Sequence, residues 1–126
     1  MSVIWIIDDD DIFQFITRKS IEKIDKNRNI ITFSNGQEAI KSINQTREIP
    51  DVILLDINMP IMDGWEFLNK YEGIRDSKDK NTHIYMVSSS IDSKDLAKAQ
   101  NSIHITDYIT KPIDESKMIE ILSNPN

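Results

Sequence analysis

The stretch Val3-Ile4-Trp5-Ile6-Ile7-Asp8-Asp9-Asp10-Asp11 decides the fold of this chain, because five apolar residues run directly into four aspartates. An unbroken apolar run of this length is typical of a strand that is buried on both faces of a parallel sheet. Similar runs occupy residues 30–33, 52–55 and 84–87. A fifth candidate, residues 105–109, is interrupted by Thr106 and Asp107, which favours a strand at the edge of the sheet. The sequence therefore predicts five strands.

Between the strands, apolar residues recur at steps of three and four, the spacing that gives a helix one apolar face. The predicted faces are Ile12, Phe13, Ile16, Ile21 and Ile24 in the first helix, Ala39, Ile40 and Ile43 in the second, Phe67, Leu68 and Tyr71 in the third, Leu96, Ala99 and Gln100 in the fourth, and Met118, Ile121 and Leu122 in the fifth. The polar residues 72–82 are predicted to contain the end of the third helix and a solvated loop. This alternation predicts an α/β fold, a doubly wound parallel sheet with right-handed crossovers and helices on both faces.

Three of the helices are preceded by residues that favour a helix start. Ser34 and Gln37 have the spacing of a capping box, in which the side chain of each residue can accept the backbone N–H of the other. Asp92 or Ser93 is predicted to cap the fourth helix, and the fifth helix is predicted to open near Asp114.

Composition and charge exclude several classes of protein. The 126 residues suffice for one ordinary domain, and 39% hydrophobic with 29% charged residues fits a packed core. Lys and Arg total 15 against 21 Asp and Glu, and the net charge of -6 disfavours binding to nucleic acid or to an anionic lipid surface. The absence of cysteine excludes a disulfide scaffold and a cysteine nucleophile, and it fits a cytoplasmic protein. No apolar run approaches the roughly 18 residues that span a bilayer, so no membrane insertion is expected.

Acidic side chains are predicted to meet at one edge of the sheet, because ligands of a parallel α/β sheet bind outside the carboxyl ends of its strands. Asp8 and Asp9 follow the first strand and Asp56 follows the third, so these three are expected to share one pocket. Carboxylates this close repel one another unless a cation lies between them. Oxygen ligands without His or Cys suit Mg²⁺, with Mn²⁺ as an alternative. Asp10 and Asp11 are interpreted instead as the start of a helix, whose N-terminus favours negative charge.

Segments at four strand ends resemble the receiver domain of two-component response regulators. They are Ile6-Ile7-Asp8-Asp9-Asp10, Leu54-Leu55-Asp56-Ile57-Asn58-Met59-Pro60 with Met62-Asp63-Gly64, Met86-Val87-Ser88, and Tyr108-Ile109-Thr110-Lys111-Pro112. The resemblance covers nearly the whole chain, in order and at the expected spacing. It implies a flavodoxin-like sheet with strand order 2-1-3-4-5 and five helices. It also implies that residues 1–126 form a single receiver domain, with no output domain.

The resemblance assigns a role to each group at the predicted site. Asp56 matches the phosphoacceptor, a carboxylate that attacks a phosphoryl group and becomes an aspartyl phosphate. Asp8, Asp9, Asp56 and the main-chain carbonyl of Asn58 match the groups that hold Mg²⁺. Lys111 matches the lysine that pairs with Asp56 and then with a phosphoryl oxygen, and its bond to the following proline is typically cis in this family.

The same resemblance implies a two-state switch. The Ser88 hydroxyl matches the group that binds the phosphoryl group, and Tyr108 matches an aromatic residue that rotates inward when that bond forms. Phosphorylation adds about -1.5 to -2 charges, which can draw a hydroxyl and an ammonium toward the site. The expected phosphodonor is a sensor histidine kinase or a histidine phosphotransfer protein, and a downstream protein would bind through the fourth helix, fifth strand and fifth helix. Such a protein is not an enzyme beyond self-phosphorylation from small donors and autodephosphorylation.

Two other functions stay open at this point. A haloacid-dehalogenase-like phosphatase would use an aspartate of the Asp8–Asp11 run as nucleophile, with a second acid two residues later, but this leaves Asp56 and Lys111 in the wrong order and provides no cap domain. A receiver-like module could bind partners without phosphorylation, although the complete set of acid, hydroxyl and lysine positions argues against it.

Overall fold

Strands and helices alternate along the chain in the computed structural model, which describes residues 2–46, 48–74, 82–89, 92–102 and 104–123. The strands are β1 (Val3–Ile7), β2 (Asn29–Phe33), β3 (Val52–Asp56), β4 (His83–Ser88) and β5 (Asp107–Thr110). The helices are α1 (Asp11–Ile24), α2 (Gly36–Thr46), α3 (Gly64–Ile74), α4 (Ser93–Asn101) and α5 (Glu115–Ser123). Neighbouring strands are parallel and the order is β2-β1-β3-β4-β5, which confirms the predicted flavodoxin-like, doubly wound α/β fold.

The sheet is buried on both faces, which explains the unbroken apolar runs of its strands. On one face, Ile4 and Ile6 of β1 pack with side chains of α1 and α5. On the other face, Trp5 and Ile7 pack with side chains of α2 and α3. Every residue of β3, at the centre of the sheet, is buried. Each fully buried large apolar side chain stabilises the fold by about 1.5–3 kcal/mol. The well-packed central strands therefore hold their own carboxyl ends rigidly in place.

The buried face of α1 differs from the predicted one. Phe13, Thr17 and Ile21 face the core at steps of four residues. Ile12 and Ile16 are 71% and 55% exposed, so their predicted burial was wrong. Each precedes a buried position by one residue, and one residue turns a helix by about 100°, away from the core. Apolar spacing alone does not distinguish these two adjacent stripes.

Aspartates cap α1, α4 and α5, as predicted. Asp10 Oδ1 accepts hydrogen bonds from two N–H groups of the first turn of α1, at 3.0 and 3.2 Å. Asp92, rather than Ser93, caps α4 and accepts an N–H at 2.7 Å, and Asp114 accepts one of α5 at 2.8 Å. Each bond satisfies a backbone N–H that has no partner within the helix.

The start of α2 is shifted by one residue from the predicted capping box of Ser34 and Gln37. Asn35 Oδ1 accepts the N–H of Glu38 at 3.0 Å, and Glu38 Oε1 accepts the N–H of Ser34 at 3.1 Å. The predicted pairing was therefore wrong. The observed one places a carboxylate in the first turn, where the helix dipole favours negative charge.

The edge strand β5 begins at Asp107, later than the predicted residue 105. Thr106 instead makes two hydrogen bonds to one residue of β4: its N–H donates to the Ile84 carbonyl at 2.7 Å, and its Oγ1 accepts the Ile84 N–H at 3.2 Å. Regular pairing then starts with Asp107 opposite Tyr85. The hydroxyl of Thr106 therefore takes the hydrogen bond that a strand backbone would otherwise make.

Two polar residues do not follow the prediction. Gln100, assigned to the apolar face of the fourth helix, is exposed. Thr82, assigned to a solvated loop, is buried because the Tyr71 hydroxyl donates to its Oγ1 at 2.9 Å, which donates in turn to the Pro50 carbonyl at 2.8 Å. The preceding part of that loop, residues 75–81, lies outside the described residues.

The loop between β3 and α3 contains one strained backbone position. Ile61 has a φ of 71°, in the left-handed region that β-branched residues avoid. The Met62 N–H donates to the Pro60 carbonyl at 2.7 Å, so Ile61 is the central residue of a three-residue turn of the strained kind. Its side chain is 74% exposed, and burial therefore offsets little of this strain.

Replacing Ile61 with asparagine should stabilise the protein, because asparagine tolerates positive φ. We expect Ile61→Asn to raise the free energy of unfolding by about 0.5–1 kcal/mol in urea titrations at neutral pH. Ile61→Val keeps the branched Cβ and is the control, with no gain expected. A lower free energy of unfolding in Ile61→Asn than in the unmodified protein would contradict the strain.

Candidate functional site

Three carboxylates lie together at the carboxyl end of the central strands. Asp8 and Asp9 directly follow β1, Asp56 ends β3, and these two strands are hydrogen-bonded neighbours. One carboxylate oxygen from each residue lies within 4.8 Å of the others. Asp8 is 1% and Asp56 6% exposed, whereas Asp9 is open to solvent. We call this group the acidic site.

Lys111 brings one positive charge to the acidic site from the end of β5. Its Nζ lies 2.8 Å from Asp8 Oδ2 and 3.7 Å from Asp56 Oδ1, and its side chain is only 15% exposed. The Lys111 N–H donates to the Ser88 carbonyl at 2.7 Å, which ties the end of β5 to the end of β4. The Lys111–Pro112 peptide bond is cis, as the resemblance implied. The nearer partner of the ammonium is thus Asp8, whereas the resemblance had named Asp56.

The backbone around Asp8 is fixed by a residue that the sequence reasoning missed. Gln14 Nε2 donates to the Asp8 carbonyl at 2.6 Å and to the Phe33 carbonyl at 3.2 Å. The Asp8 N–H also donates to the Phe33 carbonyl, at 3.0 Å. The Gln14 amide therefore joins the ends of β1 and β2 beside the acidic site. Gln14 belongs to no motif and to no apolar face, so nothing local in the sequence indicated this role.

The loop after β3 approaches the acidic site so closely that it requires glycine. The Gly64 N–H donates to the Ile57 carbonyl at 2.7 Å. A Cβ at Gly64 would lie 2.5 Å from the Asp56 carbonyl oxygen, well inside van der Waals contact. Asn58, two residues after Asp56, donates its main-chain N–H to the Asp56 carboxylate. The role of its main-chain carbonyl stays a prediction.

Ser88 and Tyr108 form a side-chain contact between β4 and β5. Ser88 ends β4 and is 1% exposed, and its side chain hydrogen-bonds with the Tyr108 hydroxyl. Tyr108 is half-buried, and burial raises the pKa of its hydroxyl. Its ring also lines a cavity of about 290 Å³ between α4 and β5, together with Leu96 and Ile105. The hydrogen bond between Ser88 and Tyr108 thus joins the end of β4 to the cavity between α4 and β5.

Burial raises the pKa of both enclosed carboxyl groups. The pKa of Asp56 rises from 3.8 to about 6, mainly because burial penalises the charged form and secondly because of the charge on Asp8. The pKa of Asp8 is also raised by burial, although the contact with the Lys111 ammonium and the hydrogen bond from the Asp10 N–H oppose that shift. One ammonium therefore does not fully compensate three carboxylates.

The donor set suits a divalent cation that prefers oxygen. The acidic site offers three carboxylates within 4.8 Å, and it contains no His or Cys. Asp8 Oδ1 accepts the Asp10 N–H at 2.9 Å, but within the described parts of the chain the buried Oδ2 makes no hydrogen bond of ordinary geometry. Asp8 Oδ2 lies 2.8 Å from Lys111 Nζ, so it is ion-paired and can still accept a further partner. These residues fit Mg²⁺ or Mn²⁺.

The raised pKa of Asp56 makes the stability of the metal-free protein depend on pH. Between pH 4 and 6 the folded state keeps a proton on Asp56 that the unfolded chain has released, so stability falls as the pH rises through this window. We expect a loss of about 1–3 kcal/mol, measured by urea unfolding in EDTA. Asp56→Asn should reduce the slope and be the more stable protein at pH 7.5.

Asp11→Asn provides the matched control, because it removes an exposed carboxylate from the same edge of the sheet. It should leave the slope between pH 4 and 6 as it is. Equal slopes in the unmodified protein and in Asp56→Asn would contradict the raised pKa of Asp56.

No helix within the described part of the chain is long and apolar enough to cross a membrane.

Comparison with known proteins agrees with this arrangement. A family model described as the response regulator receiver domain matches residues 4–123. The sensor histidine kinase CheAY of Helicobacter pylori is 32% identical over 110 residues, which cover 87% of this chain and 13% of that protein. The chain spans 13%, 29% and 34% of the length of three curated relatives that it matches.

Solved structures show the same fold. A two-component response regulator from Cytophaga hutchinsonii has a TM-score of 0.87 at 28% identity, covering 97% of this chain and 94% of its own. The phosphorylated cyanobacterial phytochrome response regulator RcpA has a TM-score of 0.82 at 26% identity, covering 99% and 96%. With a family match over nearly all of its length, the chain belongs to the response regulator receiver domains of two-component systems.

Proposed function

We propose that this receiver domain is a phosphoacceptor switch, in which Asp56 takes up a phosphoryl group in a reaction that requires Mg²⁺. The observation that carries the proposal is the placement of Asp56. Its buried carboxylate lies at a strand end, 3.7 Å from the Lys111 ammonium and within 4.8 Å of two further carboxylates. Receiver domains are signalling switches rather than classical enzymes, and RcpA, which has this fold, was solved in phosphorylated form.

The reaction is a substitution at phosphorus by the carboxylate of Asp56. A bond forms between an Asp56 Oδ and phosphorus as the bond from phosphorus to a donor histidine nitrogen breaks, and the departing imidazole takes a proton from solvent. With acetyl phosphate as donor, a phosphorus–oxygen bond breaks and acetate leaves. The attacking group must be ionised, and with a pKa of about 6 Asp56 is ionised at pH 7.5. The Lys111 ammonium is placed to pair with a phosphoryl oxygen.

The acidic site would hold the metal ion through Asp8, Asp9, Asp56 and the main-chain carbonyl of Asn58. When bound, Mg²⁺ or Mn²⁺ would neutralise charge that builds up on the phosphoryl oxygens. Asp8 and Lys111 have complementary tasks in this proposal. Asp8 keeps a buried negative charge beside the nucleophile, and Lys111 supplies the positive charge that makes this burial tolerable.

Ser88 and Tyr108 are the proposed route from the site to partner proteins. The Ser88 hydroxyl, at the end of β4, would bind the phosphoryl group, and its hydrogen bond with Tyr108 would change as a result. Tyr108 lies beside the cavity between α4 and β5. We therefore place binding of a downstream protein on α4, β5 and α5. A sensor histidine kinase or a histidine phosphotransfer protein in the cytoplasm would be the donor, and nucleic acid is disfavoured as a partner by the net charge of -6.

Intact-mass measurement after incubation with Mg²⁺ and acetyl phosphate tests the phosphoacceptor function. We expect one phosphoryl group per chain, removed by hydroxylamine and not added in EDTA. Asp56→Asn should add none, whereas the control Asp11→Asn should be phosphorylated like the unmodified protein. No addition to the unmodified protein would favour a binding module that works without phosphorylation, and repeated turnover of phosphate esters would favour the phosphatase.

Trp65 offers a reporter for the switch. It lies in α3 and is half-buried, and its Nε1 donates to Asp95 Oδ1 of α4 at 3.0 Å. The Lys98 Nζ, also in α4, lies 5.2 Å from the centre of its ring. A displacement of α4 therefore changes the surroundings of the indole, and with them its fluorescence.

Tyr108→Ala should separate phosphorylation from the response of α4. We expect the mass increase to persist, while the Trp65 fluorescence change on adding beryllofluoride and Mg²⁺ falls to about half or less. Measuring in a Trp5→Phe background isolates Trp65, and Tyr108→Phe shows whether ring or hydroxyl carries the coupling. A full fluorescence response in Tyr108→Ala would refute the role of Tyr108.

A further inference from the structure

An aromatic ring of α1 lies directly against the ammonium of the acidic site. The Lys111 Nζ is 4.4 Å from the centre of the Phe13 ring. This distance is within the range of about 6 Å over which a cation is attracted to an aromatic face. Phe13 is 8% exposed and the Lys111 side chain 15%, so water screens the contact little.

The position of Phe13 in α1 does not by itself require an aromatic residue. Phe13 shares its buried face with Thr17 and Ile21 and belongs to the apolar cluster between the sheet and the helices α1 and α5. Leucine or methionine fills a comparable space at a buried helix position. An aromatic ring adds one property that these side chains lack, a negative face that attracts a cation.

We propose that Phe13 is a positioning residue, whose aromatic face holds the Lys111 ammonium between Asp8 and Asp56. This inference rests on the proposed function of Asp56. The ammonium is nearer to Asp8, at 2.8 Å, than to Asp56, at 3.7 Å. Because contact with a ring face has no fixed hydrogen-bond direction, the ammonium can shift toward Asp56 and an incoming phosphoryl oxygen while it stays on the ring.

The ring matters because a lysine side chain has four rotatable bonds and much conformational freedom to lose. Two carboxylates fix the ammonium only while both keep their charge and position. The ring adds a contact that does not change when Asp56 becomes phosphorylated. Without it, a smaller fraction of molecules has the ammonium ready, and we expect the rate constant of phosphorylation to fall about three- to thirtyfold.

Phosphorylation by acetyl phosphate in saturating Mg²⁺ provides the kinetic test. Phe13→Leu and Phe13→Met remove the aromatic face and should show the expected fall in rate constant, whereas Phe13→Tyr keeps the face and should restore most of the rate. Ile21→Val is the matched control, because it weakens the same buried face of α1 about two turns along the helix from Phe13. Thermal unfolding identifies which variants are folded. If Phe13→Leu does not fold, the comparison is made with Phe13→Met.

NMR of the metal-free protein provides a second readout that does not depend on the reaction. Protons over an aromatic face shift upfield, so the Lys111 ε-methylene signal should be upfield in the unmodified protein and in Phe13→Tyr. It should return toward the value of a free lysine in Phe13→Met. The Ile21→Val control should keep the upfield shift.

The outcomes separate this inference from the proposed function. An unchanged phosphorylation rate together with an unchanged Lys111 signal in Phe13→Met would overturn the role of Phe13 and leave the function of Asp56 standing. If the unmodified protein is not phosphorylated, the proposed function fails, and with it the role of Phe13 in phosphoryl transfer. A rate loss in Phe13→Met that Ile21→Val reproduces would reduce Phe13 to a packing residue and also overturn the inference.

Discussion

The burial of two like charges side by side is the constraint on which the rest of the site depends. Parallel pairing of β1 with β3 places Asp8 and Asp56 at adjacent strand ends, and the core of the sheet keeps both away from water. Burying two carboxylates this close is costly unless positive charge compensates them. The Lys111 ammonium supplies part of that charge, while burial and, secondly, the charge on Asp8 raise the pKa of Asp56 to about 6. In the proposed function, this excess of negative charge is what would favour a divalent cation at the site.

Several contacts outside the acidic site keep these charges in place. The Gln14 amide joins the ends of β1 and β2, and the Lys111 N–H joins the ends of β5 and β4. None of these contacts is strong alone, since an ordinary hydrogen bond contributes about 0.5–1.5 kcal/mol. Together they fix the backbone from which each charged side chain extends. These contacts restrain the backbone at the strand ends, so side-chain rotation is the easiest way for the charged groups to shift.

The sequence is sufficient to predict the buried strands, from their apolar runs, and the acidic site, from the aspartates that follow two of these strands. A central strand such as β3 is buried on both faces, so its apolar run marks it with little ambiguity. The aspartates at the ends of β1 and β3 were predicted to meet, because parallel strands end at one edge of the sheet. The strand order and the roles of Ser88, Tyr108 and Lys111 came from resemblance to a family, not from the physical pattern.

Most features that sequence reasoning missed depend on contacts between residues far apart in the chain. The exposure of Ile12 and Ile16 depends on how α1 lies on the sheet, which helical spacing does not determine. The contact of Phe13 with Lys111 joins residues from opposite ends of the sequence. The cap of α2 is a local feature, but Ser34 and Asn35 have similar capping strength. The sequence therefore did not indicate which of the two would cap the helix.

The close approach of Gly64 to the Asp56 carbonyl has a consequence for how such sequences can diverge. A methyl group at Gly64 would lie 2.5 Å from that oxygen, so the residue is constrained by the backbone of Asp56 and not by any chemistry of its own. Because the clash is with main-chain atoms, replacing the Asp56 side chain would not relieve it, and a descendant that keeps this turn also keeps glycine at the first residue of α3. The side chain at the end of β3 can therefore change independently of Gly64, whereas Gly64 is tied to the backbone path that presents it.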